Sequence, residues 1–121
     1  MIHVIEDDFS VRDALQHLFT ELGASSCTYS DAESFLNFLK QVTAKDCVLV
    51  DLHLPGISGV EVIKYLRELS DPPHIVAITG KSLAEINKAF TGIKRPPIVR
   101  KPLKEECLLR EMDLGTALNS A

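Results

Sequence analysis

The chain has 121 residues and a formal net charge of −4, with 45% hydrophobic and 25% charged residues. At about 150 residues per domain this length predicts one domain, 1–121, and the apolar and charged fractions exclude a disordered chain. The 13 Lys and Arg against 17 Asp and Glu exclude a dedicated nucleic-acid binder, which carries a basic surplus, and no apolar run approaches the roughly 18 residues of a membrane span.

Ile2 to Ile5 is short, apolar and β-branched, and reads as the first strand. It runs into Glu6-Asp7-Asp8, acidic too early for a signal peptide. Val11, Leu15, Leu18 and Leu22 keep a helical period after Ser10, with Gly23 as the stop. Ser25 to Tyr29 is a second strand, and Ala32, Phe35, Leu36 and Leu39 form one face of a second helix after Ser30. Cys47 to Val50 is apolar throughout, as suits a parallel strand covered on both faces. Val60, Ile63 and Leu66 follow Ser58 as a third helix, and Ile75 to Ile78 is a fourth strand. Leu83, Ile86 and Phe90 follow Ser82, with Gly92 behind them. Ile98-Val99 is the fifth strand; a fifth helix starts near Leu103, carries Leu108 and Met112, and is weakened at its end by Gly115. Each of Ser10, Ser30, Ser58 and Ser82 has an acid three residues on, at Asp13, Glu33, Glu61 and Glu85, the spacing of a capping box. Five strands alternating with five helices predict an α/β fold with a doubly wound parallel sheet. Cys27, Cys47 and Cys107 fit neither a disulfide framework nor a zinc site, and predict buried, reduced thiols in a cytoplasmic protein.

In such a sheet, ligands bind beyond the carboxyl ends of the strands. The first strand ends in Glu6-Asp7-Asp8, the third in Asp51, the fourth in Thr79-Gly80 and the fifth near Lys101-Pro102. Taken singly, an acidic run is a solvated loop and an Asp after a strand is a helix cap. Taken together, converging carboxylates repel one another and call for a hard cation. Mg²⁺ suits oxygen ligands and keeps open positions, which an anionic phosphoryl group can fill. Asp51 is then a candidate nucleophile, Lys101 a counter-charge for the phosphoryl oxygens, and Thr79 a hydrogen-bond donor to one of them.

With Glu6-Asp7-Asp8, Asp51-Leu52-His53-Leu54-Pro55-Gly56-Ile57-Ser58-Gly59, Thr79-Gly80 and Lys101-Pro102 in place, the sequence resembles the receiver domain of bacterial two-component response regulators, from Ile2 to the last helix. The resemblance implies a flavodoxin-like (βα)5 sheet of strand order 2-1-3-4-5. It implies that Asp51 accepts a phosphoryl group from a phosphohistidine of a sensor histidine kinase, with Mg²⁺ as cofactor. Asp8 then ligates the metal directly, Asp7 acts through water, and Asp51 and the backbone carbonyl of His53 complete the protein ligands, with Glu6 just before the pair. It implies a cis Lys101-Pro102 bond, and His53 and Lys81 at the mouth of the site, tuning hydrolysis. Thr79 moves toward the phosphoryl group and switches a surface of helix four, strand five and helix five. That surface can carry a phosphorylation-dependent homodimer and, in a regulator, control transcription, with no direct nucleic-acid or membrane contact. Such a domain catalyses only its own phosphorylation and dephosphorylation.

Two features depart from the family. Ile98 stands three residues before Lys101, where a switching aromatic is usual. Lys94-Arg95-Pro96-Pro97 replaces a small loop; two prolines remove two N–H donors and predict an unusual or mobile helix four and a poorly paired edge strand. Lys94, Arg95, Arg100, Lys101 and Lys104 stand in a run without an acid, which reads either as a docking patch or as a solvated edge. A metal-dependent phosphatase would want a second Asp where His53 stands, and a flavin binder would not place three acids after the first strand. A receiver-like interaction module that is never phosphorylated is favoured by Ile98 and opposed by the intact Asp51, Thr79 and Lys101.

Overall fold

The computed structural model describes residues 1–113. The apolar runs form five strands: β1 (Ile2–Ile5), β2 (Ser26–Tyr29), β3 (Cys47–Asp51), β4 (His74–Thr79) and β5 (Ile98–Arg100). Between and after them lie α1 (Phe9–Glu21), α2 (Ala32–Leu36), α3 (Gly59–Arg67), α4 (Leu83–Ala89) and α5 (Glu105–Met112). All neighbouring strands are parallel, in the order β2-β1-β3-β4-β5. This is the flavodoxin-like order that the resemblance implies.

Strand alternation sorts the core into two layers. Val48 and Val50 join Phe35 of α2, Val62, Ile63 and Leu66 of α3, and Ile86 of α4 on one face. Leu49, Val76 and Ile78 join Leu15 and Phe19 of α1 and Leu108 and Met112 of α5 on the other. Cys47 to Val50 are buried, as their unbroken apolar run predicts, and Asp51 after them is buried too. Phe19 and Phe35, one on each face, are fully buried, each contributing roughly 1.5–3 kcal/mol by removal from water.

The helix starts correct two expectations. Ser58 and Ser82 cap α3 and α4 as predicted, and Ser82 with Glu85 forms a reciprocal box. Yet α1 is capped by Asp8, whose carboxylate accepts from the Ser10 amide at 2.8 Å, and α2 by Asp31, which accepts from the Ser34 amide at 2.7 Å. A carboxylate next to the serine takes the orphan amide, so Ser10 and Ser30 do not cap. Glu33, freed from a capping box, reaches the Ile57 amide at 3.2 Å instead. The second helix stops at Leu36, and Leu39–Gln41 is a separate 3₁₀ turn. The fifth helix begins at Glu105 rather than near Leu103, and Gly115 lies outside the described residues.

The edge strand is also better built than its prolines suggest. Beyond the register Ala77↔Ile98, Ile78↔Val99 and Thr79↔Arg100, the Ala77 amide donates to the Pro97 carbonyl at 2.9 Å. At the other end the Lys101 amide donates to the Thr79 carbonyl at 2.7 Å. Pro97 thus enters the ladder as an acceptor, and its missing N–H falls at the strand entry, where proline is tolerated. The preceding loop is tied down: the Arg67 guanidinium donates to the Lys94 carbonyl at 2.6 Å, and Arg95 to the Asn87 side chain. Helix α4 is seven residues long and is capped at its start by Ser82 and Glu85. All three cysteines are free thiols, but only Cys47 is buried; Cys27 and Cys107 are half-buried. Among the described residues no helix is long and apolar enough to cross a membrane.

Candidate functional site

Parallel pairing brings the carboxyl ends of β1, β3, β4 and β5 to one edge. There a cleft of about 420 Å³ collects the acids of β1 and β3 with Lys101, and His53, Lys81 and Glu85 stand at its mouth. Asp51, the last residue of β3, is buried. Its Oδ1 accepts from the His53 amide at 2.8 Å and its Oδ2 from Lys101 Nζ at 2.8 Å. The same ammonium donates to Oε1 of the fully buried Glu6 at 2.7 Å. Lys101 therefore bridges two carboxylates, and the peptide bond behind it, Lys101-Pro102, is cis.

The charges settle unequally. Burial and the neighbouring Asp51 carboxylate push Glu6 up to about 8. Burial alone would raise Asp51 too, but its hydrogen bonds with Glu6, Lys101 and the His53 amide outweigh it and hold Asp51 below the ordinary carboxylate range. Lys101 loses from burial and gains more from the two acids, so it sits above its ordinary value. Of the two acids facing Lys101, Asp51 therefore gives up its proton the more readily and Glu6 the less.

A close backbone approach makes this possible. A Cβ on Gly59 would lie 2.3 Å from the Asp51 carbonyl oxygen and 2.8 Å from Leu52 Cα. Only glycine lets the start of α3 sit against the end of β3. Gly56, at φ +73°, turns the chain between them. Across the sheet, buried Thr79 accepts from the Lys81 amide at 3.0 Å, which leaves its own O–H able to donate.

The sequence-derived residues Asp51, Thr79, Lys101, His53 and Lys81 all come to this edge. The acids rearrange. Glu6, Asp7 and Asp51 each offer a carboxylate oxygen within 4.8 Å of the others. Asp8, expected as the direct metal ligand, instead spends Oδ1 on the cap of α1 and stays exposed at the rim. Three adjacent acids do not reveal where the strand stops and the helix begins, and that boundary decides which two face inward. Ile98 is half-buried and packs against the core layer that holds Ile86 and Phe90. Sequence reasoning passed over Arg12, whose Nη1 donates to the carbonyls of Glu6 and Asp7 at 2.8 and 3.0 Å. Its signal was position: an Arg one turn after the α1 cap points back toward the helix start.

The pocket suits a hard cation. Its donors are carboxylate oxygens, and Oε2 of Glu6 is buried without a partner among the described residues. A buried polar atom left unpaired is costly and is satisfied by a cation or water.

Comparison with known proteins agrees with this geometry. A family model described as the response regulator receiver domain matches residues 2–113. The response regulator protein TodT of Pseudomonas putida is 33% identical over 111 residues, covering 90% of this chain and 48% of that protein. The transcriptional regulatory protein FixJ of Bradyrhizobium diazoefficiens is 28% identical over 107 residues, covering 88% of this chain and 52% of that one. The chain thus spans about half the length of the curated relatives it matches. Among solved structures, the response regulator StyR superposes with a TM-score of 0.72 at 31% identity, over 98% of this chain and 60% of that one. FixJ-N superposes at 0.79 and 23% identity, over 99% and 94%, and bears on the fold alone.

Proposed function

The chain belongs to the response regulator receiver domain family, and from that premise we propose that it is a phosphoacceptor switch of a two-component system, acting through Asp51. The observation that carries this reading is the buried, ionised Asp51 held by Lys101 at the end of β3. A carboxylate with a depressed proton affinity and an adjacent ammonium is set up to attack phosphorus and to have the incoming charge neutralised. In the transfer, an Asp51 oxygen bonds to the phosphorus of a kinase phosphohistidine as the P–N bond breaks. The leaving imidazole takes up a proton.

Asp7, Asp51 and the backbone carbonyl of His53 would hold Mg²⁺, with Glu6 beside them and Asp8 at the rim. When bound, the ion supplies charge neutralisation at the phosphoryl oxygens. Lys101 then serves the phosphoryl group as well as the acids, and Thr79 turns its free O–H to a phosphoryl oxygen. A phosphoryl group brings roughly −1.5 to −2 charge and new acceptors, and that pull on Thr79 biases the surface of α4, β5 and α5. His53 and Lys81 at the mouth set how water reaches the phosphoryl-Asp. Ile98 has no ring to swing, so the coupling runs through the Thr79 backbone, to which Lys101 is bonded at 2.7 Å.

The domain catalyses its own phosphorylation and dephosphorylation and no other reaction. It works in the cytoplasm, and its partners are a sensor histidine kinase and a second copy joined through α4, β5 and α5 on phosphorylation. Transcriptional control is supported by the FixJ relative's name; with a net charge of −4 this domain regulates such an output without touching DNA.

Incubation with Mg²⁺ and acetyl phosphate tests the reading. The intact mass should rise by one phosphoryl group, and Asp51→Asn should abolish the gain. No gain in the wild-type chain would replace the switch with a constitutive interaction module.

A further inference from the structure

Past Ile5 the β1 ladder ends, and α1 does not begin until Phe9. The carbonyls of Glu6, Asp7 and Asp8 lie in that gap, and backbone carbonyls seldom go without partners. All three accept from one residue. Arg12 Nη1 donates to Glu6 and Asp7 at 2.8 and 3.0 Å, and the Arg12 amide donates to Asp8 at 3.0 Å. The guanidinium is itself held over the Phe9 ring, 5.7 Å from its centroid, which gives a role to a ring that is otherwise 69% exposed.

The two cations at this site work differently. Lys101 sits on the carboxylate oxygens of Glu6 and Asp51, which are the atoms a metal would use. Arg12 touches only main-chain oxygens behind them. Through the main chain it fixes the direction of the Glu6 and Asp7 side chains, and it takes none of their carboxylate oxygens.

We propose that Arg12 is a positioning residue of the cation site: by clamping the Glu6 and Asp7 carbonyls it aims the acid pair at Asp51 and raises the affinity for a divalent ion. This rests on the reading of the acid pocket as a Mg²⁺ site. Residues that orient metal ligands from behind change affinity by about 10- to 100-fold when replaced.

Calorimetric titration of the intact chain with MgCl₂ tests it, with thermal midpoints in EDTA as the measure of fold. Arg12→Met should bind Mg²⁺ about tenfold or more weakly while keeping a cooperative melt. Arg12→Lys should recover part of the loss, because a single nitrogen makes both carbonyl bonds. Arg12→Gln, a polar neutral head, replaces the Met variant if that one fails to fold, and should bind as weakly. Wild-type affinity in the Met or Gln variant overturns the proposal, and so does a Lys variant no better than they are, since lost packing alone would then explain the effect. Asp51→Asn separates the two readings. If it weakens binding while the Arg12 variants do not, the Mg²⁺ site stands and the role of Arg12 falls. If the wild-type chain binds no Mg²⁺, both fall together.

Discussion

Asp51 is held by two unlike donors, and the difference decides what substitution at the site can do. Lys101 reaches Oδ2 through a side chain, whereas Oδ1 is fixed by the main-chain amide of His53. Replacing the imidazole therefore leaves the amide contact in place. His53→Ala should still be phosphorylated by acetyl phosphate, because the orientation of the nucleophile survives. The lifetime of the phosphoryl-Asp should change several-fold, because the side chain at the mouth of the cleft governs the approach of water. Following the decay of the purified phosphoprotein by intact mass checks both halves. An unchanged lifetime would remove His53 from the tuning role, and a failure to phosphorylate would mean that its side chain, not its amide, orients Asp51.

Among the elements, β3 and α3 meet closely at Gly59. Gly59→Ala puts a methyl group into the Asp51 carbonyl and Leu52 Cα, both of them backbone. Neither can move without shifting the strand end that carries Asp51. The substitution should cost on the order of 1–3 kcal/mol, the range for forcing atoms into a packed interior, and should slow phosphorylation even where the chain stays folded. Thermal denaturation and the rate of mass gain would report the two effects separately; wild-type values for both would show that α3 can pull back freely. The helix that Ser58 caps was legible, and so were β3, α4 and the convergence of Asp51, Thr79 and Lys101 at one edge. What the sequence hid were choices between neighbours of like chemistry. Asp8 beats Ser10 for the α1 cap, and Asp31 beats Ser30 for α2, because short carboxylates and hydroxyls accept the same amides. The inward acid pair, Glu6 and Asp7 rather than Asp7 and Asp8, follows from that α1 boundary. Arg12 stayed unseen because its partners are carbonyls, which leave no trace in side-chain chemistry.

At the scale of the whole molecule, a second polar network sits at the other end of β3 from Asp51. His3 is buried in β1. Its Nε2 meets Asp46 Oδ2 at 3.1 Å and its Nδ1 meets the Tyr29 hydroxyl at 3.0 Å, so it ties β2 to the entry of β3. Asp46 also accepts from the Thr43 amide and hydroxyl, at 3.1 and 3.3 Å, and lies 3.5 Å from the amino terminus. Burial alone would raise the Asp46 carboxyl; the Thr43 amide, His3 and the terminal ammonium outweigh it and hold it below its ordinary 3.8. An acid whose folded value is depressed adds stability above its unfolded value and loses it as pH falls through the folded one. Asp46→Ala leaves the buried His3 imidazole without its carboxylate partner, at a cost of about 1–3 kcal/mol. The gap in stability between wild type and variant should be constant near neutrality and close as pH drops below 3.8, read from urea melts at stepped pH. A gap that persists to the lowest pH would assign the cost to lost packing. The acid pocket should be untouched, because the two networks share strands but no side chains. Phosphorylation of Asp46→Ala at wild-type rate, well below its melting temperature, would show that the sheet carries its anchoring at one end and its chemistry at the other.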